Sequence, residues 1–326
     1  MADNRYRPAT QVVHQGTDRD PYTGASAIPI YQASTYHHPE GSAGEYDYAR
    51  SGNPSRRQVE EAIALLEGGC AGFAYASGMA AIGAGLSLLK SGDHLLAPRD
   101  LYGGSWRYLT SILPEQGISC SFVDMTNIEA VRRAVIPATR ALFLETPSNP
   151  LFNITDLRAT VEISREYGLL TMLDNTFMTP LLQRPLDLGI DLAIHSGTKF
   201  LGGHSDLLAG LVTTAQPELA RRLKRHQNAL GAVLAPFDSF LLARGIKTLR
   251  VRLVAAQANA RLLAERLVSH KAVKRVIFPG LDDFAGRDVH FNQSSGPGAV
   301  LSFEVVVSDG LDHDFDVVDV VVTNVN

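Results

Sequence analysis

The sequence predicts an α/β fold: a mostly parallel sheet covered by helices, followed by a smaller C-terminal domain. Three observations carry this. Short apolar runs alternate with helical stretches from Ser55 to His195, the pattern of strands joined by crossover helices. A length of 326 residues with 45% apolar content is enough for two domains, each with a buried core. Leu253, Ala256, Ala260, Leu263 and Leu267 recur at helical spacing and predict a long helix leading out of the sheet domain. The boundaries follow: an extended arm over 1–54, a large domain over 55–245, and a linking helix with a partial C-terminal domain over 246–326.

The first 50 residues lack sustained periodicity and are rich in Pro, Gly, Tyr and Thr, so they read as the arm. Val59, Ala62, Ile63 and Leu66 then mark a helix that Gly68-Gly69 stops. Strands are predicted at Gly72–Ala76, His94–Ala97, Ser119–Val123, Ala141–Glu145, Leu169–Asp174 and Leu192–His195. Helices are predicted near Met79–Leu89, Ile128–Val135 and Leu157–Tyr167, with a short turn near Pro185–Leu188. There are no internal repeats, heptads or low-complexity tracts.

Composition excludes several functions. A net charge of −4, from 30 basic and 34 acidic residues, argues against nucleic acid as a partner. No long uncharged apolar run predicts a membrane span, and the N-terminal residues lack the apolar core of a secretion signal. Cys70 and Cys120 make no disulfide framework, which points to a reducing, cytoplasmic setting. His195 and His204 are nine apart with no cysteine nearby, so no metal site is predicted. Neither a phosphate-binding P-loop nor a dinucleotide fingerprint is present, and no G-x-S-x-G elbow accompanies His204-Ser205-Asp206.

Ligands of parallel sheets bind at the carboxyl ends of the strands, and four clusters fall there. Ala76-Ser77-Gly78-Met79 follows a strand and opens a helix, whose free amides would bind an anion; Ser77 would serve equally as a plain N-cap. Leu173-Asp174-Asn175-Thr176 ends an apolar strand on a carboxylate. His195-Ser196-Gly197-Thr198-Lys199 sets a lysine just past another strand, between hydroxyls that would suit a phosphate. Desolvation disfavours an ammonium, so a lysine in semi-apolar surroundings becomes a nucleophile toward carbonyls; the alternative is an ordinary surface lysine. Only six of the 30 basic residues are lysines, and Lys199 alone lies between Lys90 and Lys224, which favours a chemical role. Finally, Asp100-Leu101-Tyr102-Gly103-Gly104 places an aromatic ring on a glycine-flanked loop, where it would stack on a planar cofactor or enter the core. Phosphate cradle, amine, carboxylate and aromatic plate are together the set that pyridoxal 5'-phosphate requires.

The motifs resemble the Cys/Met-metabolism family of pyridoxal-phosphate enzymes. The likeness runs from Ile28 to Phe303. It rests on Asp47-Tyr48-Ala49-Arg50-Ser51-Gly52-Asn53-Pro54, the Ser77–Ala81 turn, Glu145-Thr146-Pro147-Ser148-Asn149-Pro150, Leu173–Phe177 and the run Ser196–Asp206. The segments Phe122–Thr126 and Leu182–Gly189 look most like bacterial cystathionine β-lyases. The resemblance implies fold type I of these enzymes, the aspartate-aminotransferase-like fold, and assigns roles. Lys199 would hold the cofactor and move protons, Asp174 would pair with the ring nitrogen, and Tyr102 would stack on the ring. Gly78, Met79, Ser196 and Thr198 would hold the phosphate, with Asn149 near the ring oxygen or the substrate carboxylate. Tyr48 and Arg50 would reach the phosphate of a neighbouring subunit, implying a homo-oligomer, a dimer of dimers. Arg107 would lie near the substrate's distal carboxylate, and the substrate would be a sulfur-containing amino acid.

The implied reaction is β-elimination from cystathionine; γ-synthase and γ-lyase chemistry are the alternatives, and Gly104 stands where methionine γ-lyases carry cysteine. The resemblance fades after Glu304, predicting a shortened C-terminal domain without the family's carboxylate-clamping arginine, which Arg287 does not replace. A cofactor-binding protein of weak activity is therefore a third expectation. The stretch Leu311–Asp316 faintly resembles the family's far C-terminus, and Val317–Val322 would be an aggregation hazard if unpaired.

Overall fold

The computed structural model describes residues 6–14, 19–20, 23–38, 44–307 and 316–323. In chain order it forms α1 (Pro8–His14), α2 (Pro54–Glu67), β1 (Ala71–Tyr75), α3 (Gly78–Leu86), β2 (His94–Pro98), α4 (Gly103–Arg107) and β3 (Ser119–Val123). There follow α5 (Ile128–Ala134), β4 (Thr139–Glu145), α6 (Leu157–Tyr167), β5 (Leu170–Asp174), α7 (Thr179–Leu182), β6 (Leu192–Ser196) and β7 (Gly210–Thr214). The remainder comprises α8 (Pro217–Leu230), α9 (Pro236–Lys247), α10 (Leu249–Val268), β8 (Val273–Ile277), α11 (Arg287–Gln293), β9 (Val300–Val307) and β10 (Asp316–Thr323).

The larger sheet has seven strands in the order β1-β7-β6-β5-β4-β2-β3. Strands β2, β3 and β4 pair in parallel, as do β5 and β6; β7 is antiparallel to both β1 and β6. The mostly parallel sheet expected from the alternation is therefore present, with β7 as its exception. The chain parts into two compact units, one of residues 1–90 and 172–250, the other of 91–171 and 251–326.

In the first unit, α2 begins where the sequence places it. Asn53 accepts hydrogen bonds from the amides of Ser55 and Arg56, Pro54 takes the first helical position, and Gly68 ends the helix at φ 75°. Its buried face, Val59, Ile63 and Leu66, packs with Leu211 of β7 and with Leu242 and Ile246 of α9. The arm differs from expectation: Pro8–His14 is helical, and Val12 is buried in this same core. Seven residues are too few to show a period, but one buried valine suffices to dock the turn.

In the second unit, Asp156 caps α6 through the amide of Ala159, and Gly168 ends it at φ 66°. A separate cluster of Ala260, Ala264, Phe278 and Leu301 forms beneath α10. The smaller sheet places β9 between β8 and β10. The valine-rich run is thus paired, running antiparallel to β9 from Asp316 opposite Val307 to Thr323 opposite Val300. Residues 311–315 of the faint C-terminal likeness lie outside the described residues. Among the described residues, no helix is long and apolar enough to cross a membrane.

Candidate active site

Most of the predicted site belongs to the first unit, at the ends of β5 and β6 and the start of α3. Ser77 accepts a hydrogen bond from the amide of Ala80 at 3.1 Å, so it is the N-cap, and the amides of Gly78 and Met79 open the helix behind it. Gly78 lies directly against Ser196 of β6. A β-carbon there would come within 3.0 Å of Ser196 Cβ and 3.1 Å of its Oγ. The serine hydroxyl and the first turn of α3 thus form one small polar cup, with no side chain between them.

Thr198 faces Ala209 instead. Its hydroxyl accepts from the Ala209 amide at 3.1 Å and donates weakly to the Ala209 carbonyl at 3.4 Å. Lys199 follows on a turn closed by Gly202 N–H to Gly197 C=O and Gly203 N–H to Lys199 C=O, both at 2.8 Å. Gly203 takes the left-handed conformation, at φ 71°, that a glycine adopts without strain. Helix α9 braces this turn: a β-carbon at Gly245 would stand 2.2 Å from the Gly202 carbonyl oxygen. The Lys199 side chain is exposed, so the semi-apolar surroundings expected around it are not found in this chain. Its neighbour Leu201 takes the buried position instead.

Asp174 closes β5 as predicted. Its Oδ1 accepts the amide of Thr176 at 3.0 Å and the Thr176 hydroxyl at 2.5 Å, leaving Oδ2 without a hydrogen bond among the described residues. The same threonine oxygen accepts the Ser196 amide at 2.8 Å and so ties the carboxylate to the strand that leads to Lys199. Burial pushes the Asp174 carboxyl above the usual carboxylate range, opposed by the bonds from Thr176 and by positive charge on His195.

Tyr48 and Arg50 meet each other, with the guanidinium 5.4 Å from the ring centroid. Both side chains are exposed, but their backbone is held. Arg56, 2% exposed, donates to the carbonyls of Ala49 at 2.8 Å and Arg50 at 3.1 Å, and Lys224 donates to that of Ser51 at 2.7 Å.

The second unit contains Tyr102, Arg107 and Asn149. The buried Glu145, at the end of β4, accepts the amide of Tyr102 on Oε2 at 3.1 Å and that of Asn149 on Oε1 at 2.8 Å. Asp100 secures the same loop through Ser148, the Leu151 amide and the Asn153 side chain. Tyr102 is 47% exposed, so the alternative that it fills the core is not met. Arg107 ends α4 and is exposed. Glu145 is the positioning residue that sequence reasoning passed over. Its signal was the same as that of Asp174, an acid closing an apolar strand.

The family model for the Cys/Met metabolism PLP-dependent enzymes matches residues 9–323, beyond both ends of the Ile28–Phe303 likeness. The chain belongs to this family. Its cofactor is therefore pyridoxal phosphate, and the residues present fit it: a hydroxyl-and-amide cup suits the phosphate, a carboxylate with one open oxygen suits the ring nitrogen, and an exposed amine suits the aldehyde. The chain is 51% identical to the cystathionine beta-lyase MetC of Bacillus subtilis, over 94% of this chain and 78% of that one. It superposes on the crystal structure of cystathionine gamma-lyase from Lactobacillus plantarum, complexed with L-serine, at a TM-score of 0.91. That match has 43% identity and covers 94% of this chain and 80% of the other. Cystathionine gamma synthase from Xanthomonas oryzae pv. oryzae, in complex with aminoacrylate and cysteine, gives the same TM-score at 42% identity, covering 93% and 79%. The architecture is that of the fold-type-I enzymes.

Proposed function

We propose that this family member is a carbon–sulfur lyase that converts cystathionine and water to homocysteine, pyruvate and ammonia. The observation that carries the reading is the hydrogen-bonded run from Asp174 through Thr176 to Ser196, which ends three residues before Lys199. It ties the carboxylate to the strand that carries the phosphate-binding hydroxyl and leads to the amine. The half-identical Bacillus relative, named for β-elimination, supports the choice of reaction.

Bound pyridoxal phosphate supplies an electron-withdrawing ring that stabilises negative charge at the substrate's Cα. The protein's own groups do the rest. Ser196 and the amides of Gly78 and Met79 anchor the phosphate, and Thr198 joins them by turning its proton from the long contact with Ala209. Asp174 Oδ2 would accept the hydrogen bond of the protonated ring nitrogen, and that positive charge would favour the ionised carboxylate that burial disfavours. Lys199 Nζ takes the Cα proton and delivers one later, a transfer its exposed position permits. Tyr102 and Asn149, fixed through Glu145, are assigned the ring face and the ring oxygen or substrate carboxylate. Arg107 is assigned the distal carboxylate, and Tyr48 and Arg50 the phosphate of a second subunit, which makes the active unit a homodimer within a tetramer.

A second reading, γ-elimination or γ-replacement, is favoured by the γ-lyase and γ-synthase structures that match at the same TM-score. Product analysis separates the readings. Pyruvate and homocysteine from cystathionine support β-elimination; cysteine and 2-oxobutyrate identify a γ-lyase, and net cystathionine synthesis from cysteine and an activated homoserine identifies a synthase. Lys199→Ala should lose both the cofactor's visible absorbance band and turnover. A variant that keeps turnover overturns the role of Lys199.

A further inference from the structure

Behind the Asp174 strand lies a buried acid–base pair that the reaction above does not use. Glu67 is the last residue of α2 and is 0% exposed; His195, on β6, is also 0% exposed. Glu67 Oε1 and His195 Nε2 are 2.6 Å apart. A carboxylate is poorly placed there for two reasons. It is fully removed from water, and it stands at the helix C-terminus, where the helix dipole presents negative charge. Its second oxygen, Oε2, and His195 Nδ1 are buried without hydrogen-bond partners among the described residues. Stability alone does not account for such a pair, since apolar residues of similar volume would serve the core as well.

The pair is wired to the neighbours of Asp174. Asn175 Nδ2 donates to Glu67 Oε1 at 3.1 Å and to the Gln183 carbonyl at 2.9 Å, while Gln183 Nε2 donates to Asn175 Oδ1 at 3.0 Å. The Asn175 amide donates to the Ile194 carbonyl at 2.8 Å, immediately before His195. On the other side of His195, the Ser196 amide donates to Thr176, which in turn binds Asp174. The residues flanking Asp174 and those flanking His195 thus form one fixed frame, with Glu67 behind it.

We infer that Glu67 and His195 are positioning residues for Asp174, a buried pair that holds its carboxylate in place and in charge to grip the protonated ring nitrogen of the cofactor. The inference rests on the assignment of Asp174 made above. Burial and positive charge on His195 act on the Asp174 carboxyl in opposite directions, which accords with this role.

The test uses two ligands on the cofactor-stripped protein: pyridoxal phosphate, and its analogue with CH in place of the ring nitrogen. Affinities are measured by fluorescence titration for the wild type, His195→Gln, Glu67→Gln, Asp174→Asn and the double variant His195→Gln/Asp174→Asn. His195→Gln should weaken pyridoxal phosphate about tenfold and leave the analogue within about twofold. Glu67→Gln, nearly isosteric, should move in the same direction by less. In the double variant, His195→Gln should add nothing to Asp174→Asn, because both act on one contact. Equal weakening of both ligands, unchanged binding of pyridoxal phosphate, or additive effects would overturn the inference. So would loss of folding in both single variants of the pair, which makes its role structural. A wild type that binds both ligands equally would instead overturn the assignment of Asp174 to the ring nitrogen.

Discussion

Replacing Gly210 with alanine probes whether the cup proposed for the phosphate depends on how closely β7 approaches α3. Gly210 starts β7 and is paired on both sides, with Tyr75 of β1 and Ser196 of β6, so it has little room to retreat. A β-carbon there would stand 2.0 Å from the Ser77 carbonyl oxygen, 2.6 Å from its carbon and 2.8 Å from Ala81 Cβ. Reaching ordinary contact with the oxygen requires a separation of about 1.4 Å more, and the atoms in the way are mostly backbone. The side that yields is the first turn of α3. Its Ser77 carbonyl accepts the Ala81 amide at 3.1 Å, and its Ser77 hydroxyl caps Ala80 at 3.1 Å. Overpacking costs ~1–3 kcal/mol and loss of the cap ~1 kcal/mol, so Gly210→Ala should lose ~2–4 kcal/mol in urea denaturation. Displacing the amides of Gly78 and Met79 should also weaken pyridoxal phosphate at least ~tenfold, equivalent to ~1.4 kcal/mol. Gly85→Ala in the same helix is the control. There the new carbon's nearest neighbours are Met172 Sδ at 3.2 Å, Ile194 Cδ1 at 3.3 Å and Leu192 Cδ1 at 3.7 Å, all flexible side-chain ends, so both quantities should stay near wild type. Wild-type cofactor affinity in Gly210→Ala, or equal losses in the two variants, would refute the reasoning.

Two further outcomes can be checked separately. Glu145→Gln replaces one of the two acceptors that hold Tyr102 and Asn149 with a donor, so stability should fall by ~1–3 kcal/mol. Amide hydrogen exchange should quicken at both residues, and unchanged exchange would show that another group holds them. His94 is buried between the hydroxyls of Thr139 and Ser121, each at 2.9 Å, and burial lowers its pKa below 6.5 in the folded state. The folded protein therefore binds fewer protons there than the unfolded chain; the contribution is complete above about pH 6.5 and is lost as pH falls toward the folded pKa, a slope that His94→Asn should flatten in denaturation curves.

The large sheet was legible because its parallel strands are short, apolar and separated by helices with clear stop signals. Ser119–Val123 and Leu157–Tyr167 have the predicted bounds, and Gly68 ends α2 where glycine was expected to. Strand β7 escaped because it breaks that rhythm: it follows a loop, runs antiparallel to both neighbours and has no crossover helix before it. Helix α8 carried a usable signal, a proline at its start and buried Leu219, Leu223 and Gln227 four apart. One of those three is polar, which thins the apolar stripe that periodicity relies on.

At the site, two of the legible residues, Asp174 and Ser77, sit at the end of a strand within a few residues of their own partners. Asp174 binds Thr176, and Ser77 caps Ala80. What the sequence could not disclose depends on residues far apart in the chain. Glu67 and His195 are separated by 128 positions, and Gly210 matters because Ser77 passes beside it. The exposure of Lys199 follows the same division. Its scarcity marked it as chemical, but its surroundings are decided by which neighbour takes the buried position, and that is Leu201. Local sequence thus marks the groups proposed to touch the cofactor, while their spacing and charge come from long-range packing. For this chain that places the test of cofactor binding in the glycine contacts and buried pairs behind the motif residues as much as in those residues themselves.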